Sequence, residues 1–254
     1  MKLSARLQQI SDQLPEGCTF ADIGSDHAML PVASVFSGRA RSAIAGEVNE
    51  GPYESAQRQV MESGLQRKVS VRKGNGLEVL KRNEVDVITI AGMGGALIVS
   101  ILSAGADKLA GVQRLILQPN VGEDLVRRWL LEHRWYLSAE QILEEDGKIY
   151  EILTADWRDD AQELNQDLYE ERVINPSTEL RLTRERLIEM GPRLTQQPQD
   201  VFFAKWHSEV EKLHKVYGQI AKSDLESSKS KAAEMNIHIR ELEEVLSCMQ
   251  KDRR

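Results

Sequence analysis

An apolar stretch from Cys18 to Ile23 leads into Asp22-Ile-Gly-Ser-Asp-His-Ala28, a strand-like run that breaks at a glycine and continues toward a helix. A small residue at such a break lets a ligand approach the backbone, and the amides at the start of the following helix are free to meet an anionic group. The spelling departs from G-x-G-x-x-G. Gly24 is its one glycine, and Asp26 and Ala28 occupy the later small positions. A pyrophosphate would meet the Asp26 carboxylate and be repelled, whereas a sulfonium or an α-amino group would be attracted. The loop thus favours a sulfonium nucleoside over a dinucleotide; a structural turn with a capping Asp is the alternative.

Further candidates recur at the ends of the following strand-like runs. Glu47 can accept hydrogen bonds from both hydroxyls of a ribose, or be a solvated loop glutamate. Asn75, followed by Gly76, offers a donor and an acceptor to an adenine edge, or forms an ordinary Asn-Gly turn. Ala91-Gly-Met-Gly-Gly95 permits close backbone approach through Ala91, Gly92 and Met93, or is simply a flexible loop. In Gln118-Pro-Asn120, Gln118 and Asn120 each carry an amide suited to a nucleobase; a proline-stopped strand followed by an Asn helix cap is the bland reading. His27 can act as a base near neutrality or as a local cap.

These residues need a scaffold that brings them to one edge. Leu3, Leu7, Ile10 and Leu14 mark an amphipathic lead-in helix, ended by Pro15-Glu-Gly17. Strands are expected at 18–23, 42–47, 68–72, 85–91 and 114–117. Helices are expected between them at 28–36, 52–63, 77–82 and 95–102, with another at 123–133. A closing antiparallel hairpin, 136–144 with 148–155, turns about Asp146-Gly147. Such alternation implies a Rossmann-like α/β domain with a parallel sheet, residues 1–158, and Asp22, Gly24, Glu47 and Asn75 then share the carboxyl edge where open α/β sheets bind ligands.

From Asp159 strand signals vanish and charge rises. Phe203, Trp206, Val210, Leu213, Tyr217 and Ile220 recur at helical spacing, and Met235, Ile239, Leu242, Leu246 and Met249 resume it after a polar patch from Ser223 to Lys231. Residues 159–254 are expected to be all-helical, an antiparallel coiled-coil hairpin or one long helix.

Composition narrows the class. The 254 residues are 41% hydrophobic and 29% charged, with a net charge of −7. No run approaches the roughly 20 apolar residues of a membrane span, and the N-terminal segment does not read as a signal peptide. The acidic balance weighs against a generic nucleic-acid binder. Cys18 and Cys248 make neither a disulfide framework nor a metal site, so a reduced cytoplasmic setting without metal is expected.

Several segments together resemble the bacterial tRNA (adenine-N1)-methyltransferases that act on adenine 22. They are Asp22-Ile-Gly-Ser-Asp-His-Ala-Met-Leu-Pro31, Ala45-Gly-Glu47, Gly51-Pro52, Gly76-Leu-Glu78, Ile90-Ala-Gly-Met-Gly-Gly95, Leu117-Gln-Pro-Asn120 and Glu144-Glu-Asp-Gly-Lys148. Met29 departs from the tyrosine usual in the family, and Asn75 from the Asp of several members. The resemblance implies a Rossmann-like methyltransferase domain with a helical coiled-coil domain, S-adenosyl-L-methionine (SAM) as cofactor and tRNA as partner. It implies cofactor contacts from Asp22, Gly24, Asp26, Glu47, Asn75, Gly76, Ala91, Gly92 and Met93. Asp26, His27, Gln118 and Asn120 are expected at the reacting base. A SAM methyltransferase for a protein or small molecule, an NAD-dependent oxidoreductase and a non-catalytic coiled-coil module are the competing readings. A monomer and a coiled-coil dimer both remain open.

Overall fold

The computed structural model describes residues 2–175, 179–222 and 225–251. By contact the chain divides into two units, one ending at Leu168 and one beginning at Tyr169. The sequence places this division at residue 158. It falls later because Asn165, on the helix Ala161–Leu168, binds the sheet: its Nδ2 donates to the Trp135 carbonyl at 2.8 Å, and its Oδ1 accepts from the Leu137 N–H at 3.3 Å.

The first unit begins with helix α1 (Ala5–Asp12). Strands β1 (Cys18–Ile23), β2 (Ala40–Glu47), β3 (Val69–Lys73), β4 (Val87–Gly94) and β5 (Arg114–Val121) then alternate with helices α2 (Met29–Phe36), α3 (Glu50–Glu62) and α4 (Gly95–Ala104). Helix α5 (Glu123–Glu132), the hairpin β6 (Trp135–Glu145) and β7 (Lys148–Trp157), and α6 (Ala161–Leu168) complete it. The seven strands are ordered β3-β2-β1-β4-β5-β7-β6. Strands β1 to β5 are parallel, and β7 runs antiparallel to both β5 and β6. Asp146 and Gly147 turn the hairpin with φ of 51° and 71°, the left-handed pair that a two-residue turn requires. This is the Rossmann-like architecture expected from the alternation, with Leu115, Ile116 and Leu117 of β5 buried on both faces as a parallel strand demands.

Two strands run further than the sequence suggests. Glycines 92 and 94 and the Gln118-Pro-Asn120 segment read as breaks, yet β4 continues to Gly94 and pairs with β5 as far as Val121. Register shifts between Ala91 and Met93 and between Met93 and Gly94 absorb the irregularity. Pro119 is tolerated because β7 pairs only with Arg114 to Leu117, leaving the outer side of β5 free there. The stretch expected as a helix at 77–82 is a 3-10 turn, Gly76–Val79.

Under α5 lies a buried ion triad. Arg127 Nε donates to Glu140 Oε1 at 2.6 Å and Nη2 donates to Glu151 Oε2, joining α5 to β6 and β7 with all three side chains essentially inaccessible.

The second unit contains strands β8 (Arg172–Asn175) and β9 (Leu180–Leu182), then helices α7 (Arg184–Met190), α8 (Asp200–Ile220) and α9 (Glu226–Lys251). The antiparallel pairing of β8 with β9 corrects the all-helical expectation. Helices α8 and α9 are separate and antiparallel: His207 meets Gln250 at 3.0 Å, and His214 meets Glu243 at 2.9 Å. One continuous helix is therefore excluded. Of the polar patch expected to hold the turn, residues 223 and 224 lie outside the described residues, and α9 already begins at Glu226.

Candidate active site

The strand order reverses between β1 and β4, opening a crevice at the carboxyl ends of the parallel strands. Asp22 sits there, 5% exposed. Its neighbours in register are Ala45 on β2 and Thr89 on β4. Ser25 Oγ donates to Asp22 Oδ2 at 2.6 Å, and Thr89 Oγ1 donates to Oδ1 at 2.6 Å. Burial pushes the Asp22 carboxyl above its ordinary range. The two hydroxyls oppose that shift, the Glu47 charge adds to it, and the Arg6 charge opposes it.

Glu47 ends β2, 6% exposed. Its Oε1 accepts the Asp26 N–H at 2.7 Å. Burial raises this carboxyl as well; the Asp26 N–H opposes the rise and the Asp26 charge reinforces it. Two buried carboxylates thus face one crevice, and among the described residues neither is in an ion pair.

The loop between them is strained. Asp26, His27 and Ala28 have φ of 20°, 62° and 54°, three successive left-handed residues without a glycine. Each such residue costs on the order of 1–3 kcal/mol and persists only where its surroundings hold it. Glu47 supplies part of that hold through the Asp26 N–H, and Gly24 and Ser25 donate to the Gly46 carbonyl at 2.9 and 3.2 Å. Gly24 is required by its φ of +72°, which strains any side chain, and a Cβ there would also displace the flexible end of Met93, 2.1 Å away. The Asp26 carboxylate is 80% exposed and pairs with His27 at 3.3 Å, so water screens it until a substrate covers it.

The opposite wall is built from β4, β5 and α1. Gln118 is fully buried. Its Oε1 accepts from Arg6 Nη1 at 2.5 Å and from the Gly92 N–H at 3.1 Å. Its Nε2 donates to the Pro119 carbonyl at 2.8 Å and to Asn120 Oδ1 at 3.2 Å. Every donor and acceptor of that amide is in use, which corrects the expectation that Gln118 offers it to a nucleobase. Asn120 is exposed and donates to the Gly92 carbonyl at 2.8 Å, leaving one hydrogen and one lone pair unused.

Asn75 is exposed on the rim, and Gly76 adopts a φ of +55° beside Ile101. The Gly74 N–H donates to the Glu47 carbonyl at 2.9 Å, tying this rim to the end of β2. A cavity of about 220 Å³ lies against Asn75 and Gly76, with Leu97, Ser100 and Ile101 across it. Ala91 pairs in register with Gln118.

The crevice thus gathers Asp22, Gly24, Asp26, Glu47, Gly92, Met93 and Asn120, with Asn75 and Gly76 at its edge. Two participants escape sequence reasoning. Thr89 is the polar residue within the apolar run Val87 to Ile90, a signal that a buried hydroxyl has a partner. Arg6 stands three residues after Leu3 and four before Ile10, next to the apolar stripe of its helix rather than opposite it. Among the described residues no group of His, Cys, Asp and Glu could hold a metal ion.

The family model described as tRNA (adenine(22)-N(1))-methyltransferase matches residues 20–244. The chain is 45% identical over 247 residues to the tRNA (adenine(22)-N(1))-methyltransferase of Bacillus subtilis (strain 168), covering 97% of this chain and 98% of that protein. It is similar to the crystal structure of the B. subtilis m1A22 tRNA methyltransferase TrmK, with 46% identity, a TM-score of 0.84, and 96% and 99% of the two chains covered. It is also similar to Streptococcus pneumoniae Sp1610 in complex with S-adenosyl-L-methionine, with 40% identity, a TM-score of 0.77, and 96% and 100% covered. A loop spelled to repel pyrophosphate, on a sheet of this order, is thereby accounted for: the chain belongs to the tRNA (adenine(22)-N(1))-methyltransferase family.

Proposed function

We propose that this crevice binds S-adenosyl-L-methionine and directs its methyl group to N1 of adenine 22 in tRNA. The observation that carries the reading is the pair of carboxylates, Asp22 and Glu47, buried at the crevice without an ion-paired cation among the described residues, where burial pushes both pKa values up. A cationic cofactor rich in hydroxyls fits that donor set. Glu47 has lone pairs left to accept from the ribose. Asp22, fixed by Ser25 and Thr89, faces the ammonium end. Gly24, Gly92 and Met93 allow the backbone approach, and Asn75 with Gly76 meets the cofactor's adenine ring.

When bound, the cofactor supplies an electrophilic methyl carbon. Adenine N1 already has a lone pair, so no residue needs to deprotonate it, and the chain's task is alignment. Asn120 holds the target base opposite. The methylated base carries positive charge until N6 loses a proton. Asp26 stabilises that charge once the substrate has excluded water from it, and His27, adjacent, is placed to receive the proton. A base inside folded tRNA must first be extruded, at a cost of a few kcal/mol. We read helices α8 and α9 as a coiled coil that grips tRNA or a second copy of the chain. No helix among the described residues is long and apolar enough to cross a membrane, and the free thiols of Cys18 and Cys248 suit a reducing cytoplasm.

The test uses methyl-labelled cofactor with two unmodified tRNA transcripts, one with adenine and one with guanine at position 22. Label should enter only the first, appear as 1-methyladenosine after digestion, and stop reverse transcriptase at position 22. Label in the guanine transcript, or in another nucleoside, sinks the reading.

A further inference from the structure

Chemistry alone fixes the direction of the hydrogen-bond chain on the β4–β5 wall. A guanidinium and a backbone N–H can only donate, so the Gln118 atom facing Arg6 and Gly92 must be the oxygen. The Pro119 carbonyl can only accept, so the atom facing it must be the nitrogen. That nitrogen then requires the Asn120 oxygen opposite it, and the Asn120 nitrogen turns to the Gly92 carbonyl. Backbone groups thereby fix both amides, and one cation, on a helix outside the sheet, reinforces the first of them.

The cation is itself held. Ser4 caps α1 by accepting the Leu7 N–H at 3.3 Å, and Glu145, at the end of β6, accepts the Ala5 N–H at 2.5 Å. The Arg6 guanidinium also lies over the Tyr150 ring, 5.3 Å from its centroid. Glu145 and Tyr150 flank the β6–β7 turn, so the hairpin anchors both the helix and its arginine.

We infer that Arg6 is a positioning residue: by reinforcing the backbone hold on Gln118, it keeps the Asn120 amide with one N–H and one oxygen lone pair directed at the N6/N7 edge of the target adenine. The inference rests on the proposed transfer to adenine N1. Because N1 must face the methyl group, the edge left for two-point recognition is the one where N6 donates and N7 accepts. An asparagine amide matches that pair in two-point fashion. Without Arg6 the buried Gln118 oxygen loses its charged partner and keeps only the Gly92 N–H, so the relay that supports the Asn120 amide loosens.

The experiment measures single-turnover methyl transfer to tRNA carrying adenine or 7-deazaadenine at position 22. The second base lacks only the N7 acceptor. The wild type should lose about tenfold on 7-deazaadenine, as expected for half of a two-point contact. Arg6→Ala should lose about tenfold on adenine, by the same reckoning, and its penalty for 7-deazaadenine should fall below about threefold. Its cofactor affinity by calorimetry should fall by less than its transfer rate. Arg6→Lys, which restores a donor to Gln118, should restore the penalty. Gln118→Glu disrupts the relay without altering α1, since its second oxygen would face the Pro119 carbonyl and Asn120 Oδ1; it should abolish the penalty even if Arg6→Ala does not fold. A wild-type enzyme indifferent to 7-deazaadenine, or a full penalty in Arg6→Ala or Gln118→Glu, overturns the inference. A wild type that methylates neither transcript overturns the adenine-N1 reading instead.

Discussion

The sheet unit buries two pairs of glutamate or aspartate side chains, and they are treated in opposite ways. Behind the sheet, Glu140 and Glu151 share the guanidinium of Arg127. At the crevice, Asp22 and Glu47 are also buried but receive hydroxyls and backbone N–H groups without an ion-paired cation among the described residues, and both titrate above their ordinary range. The residue types match; the counter-charge differs. A carboxylate whose charge is neutralised within the fold holds the fold together. One left without a cation weakens the fold and is retained for what it can bind.

The sharpest way to break this contrast is Arg127→Met. It strands two buried carboxylates and should cost about 3–5 kcal/mol of unfolding free energy, read from a denaturant melt. A loss below about 1 kcal/mol, no more than an exposed ion pair gives, would erase the distinction. Asp22→Asn should do the reverse. Cofactor affinity by calorimetry should fall roughly 10- to 100-fold, as expected for a charged hydrogen bond worth about 1.5–3 kcal/mol, while the melting temperature of the cofactor-free protein stays level or rises. A lower melting temperature with unchanged affinity would make Asp22 a structural group. Glu47→Gln should weaken cofactor binding about tenfold, toward the lower end for a charged hydrogen bond, and keep the Asp26 N–H satisfied.

The smallest effect is in pH dependence. Asp22 and Glu47 have folded pKa values above their ordinary 3.8 and 4.5, so the stability they contribute is present at low pH and is lost as pH rises through the folded values. The cofactor-free double variant Asp22→Asn, Glu47→Gln should therefore gain on wild type as pH is raised from 4 to neutrality. Glu84 is the opposite control. Its two-point bond with Arg72 holds it down to about 2, so its contribution is present above 4.5 and disappears as pH falls toward 2. Parallel pH curves for the double variant and wild type would contradict the assigned shifts.

Much of this was legible in the residues. Alternation of apolar runs with helical periods located the strands of the main sheet, because parallel strands buried on both faces must be apolar throughout. The departures from the glycine pattern at Asp26 and Ala28 pointed to the cofactor class. What escaped was set by distant partners. Gly92 to Gly94 and Gln118 to Asn120 carry local break signals, and only their pairing with each other keeps them in strands. Gln118 could not be assigned inward without Arg6, which reaches it across 112 positions of chain. Strands β8 and β9 span four and three residues, too short for a period to register.

One further contact limits how the site can be re-engineered. A Cβ on Gly95 would lie 2.0 Å from the Gly122 carbonyl oxygen, and Gly122 has a φ of +75°. The start of α4 and the end of β5 therefore meet backbone to backbone, with no room for a side chain. Directed evolution toward another target base should spare both glycines. Diversity belongs at Val121 and Leu125, which flank this seam, are 67% and 42% exposed, and can change shape without moving it.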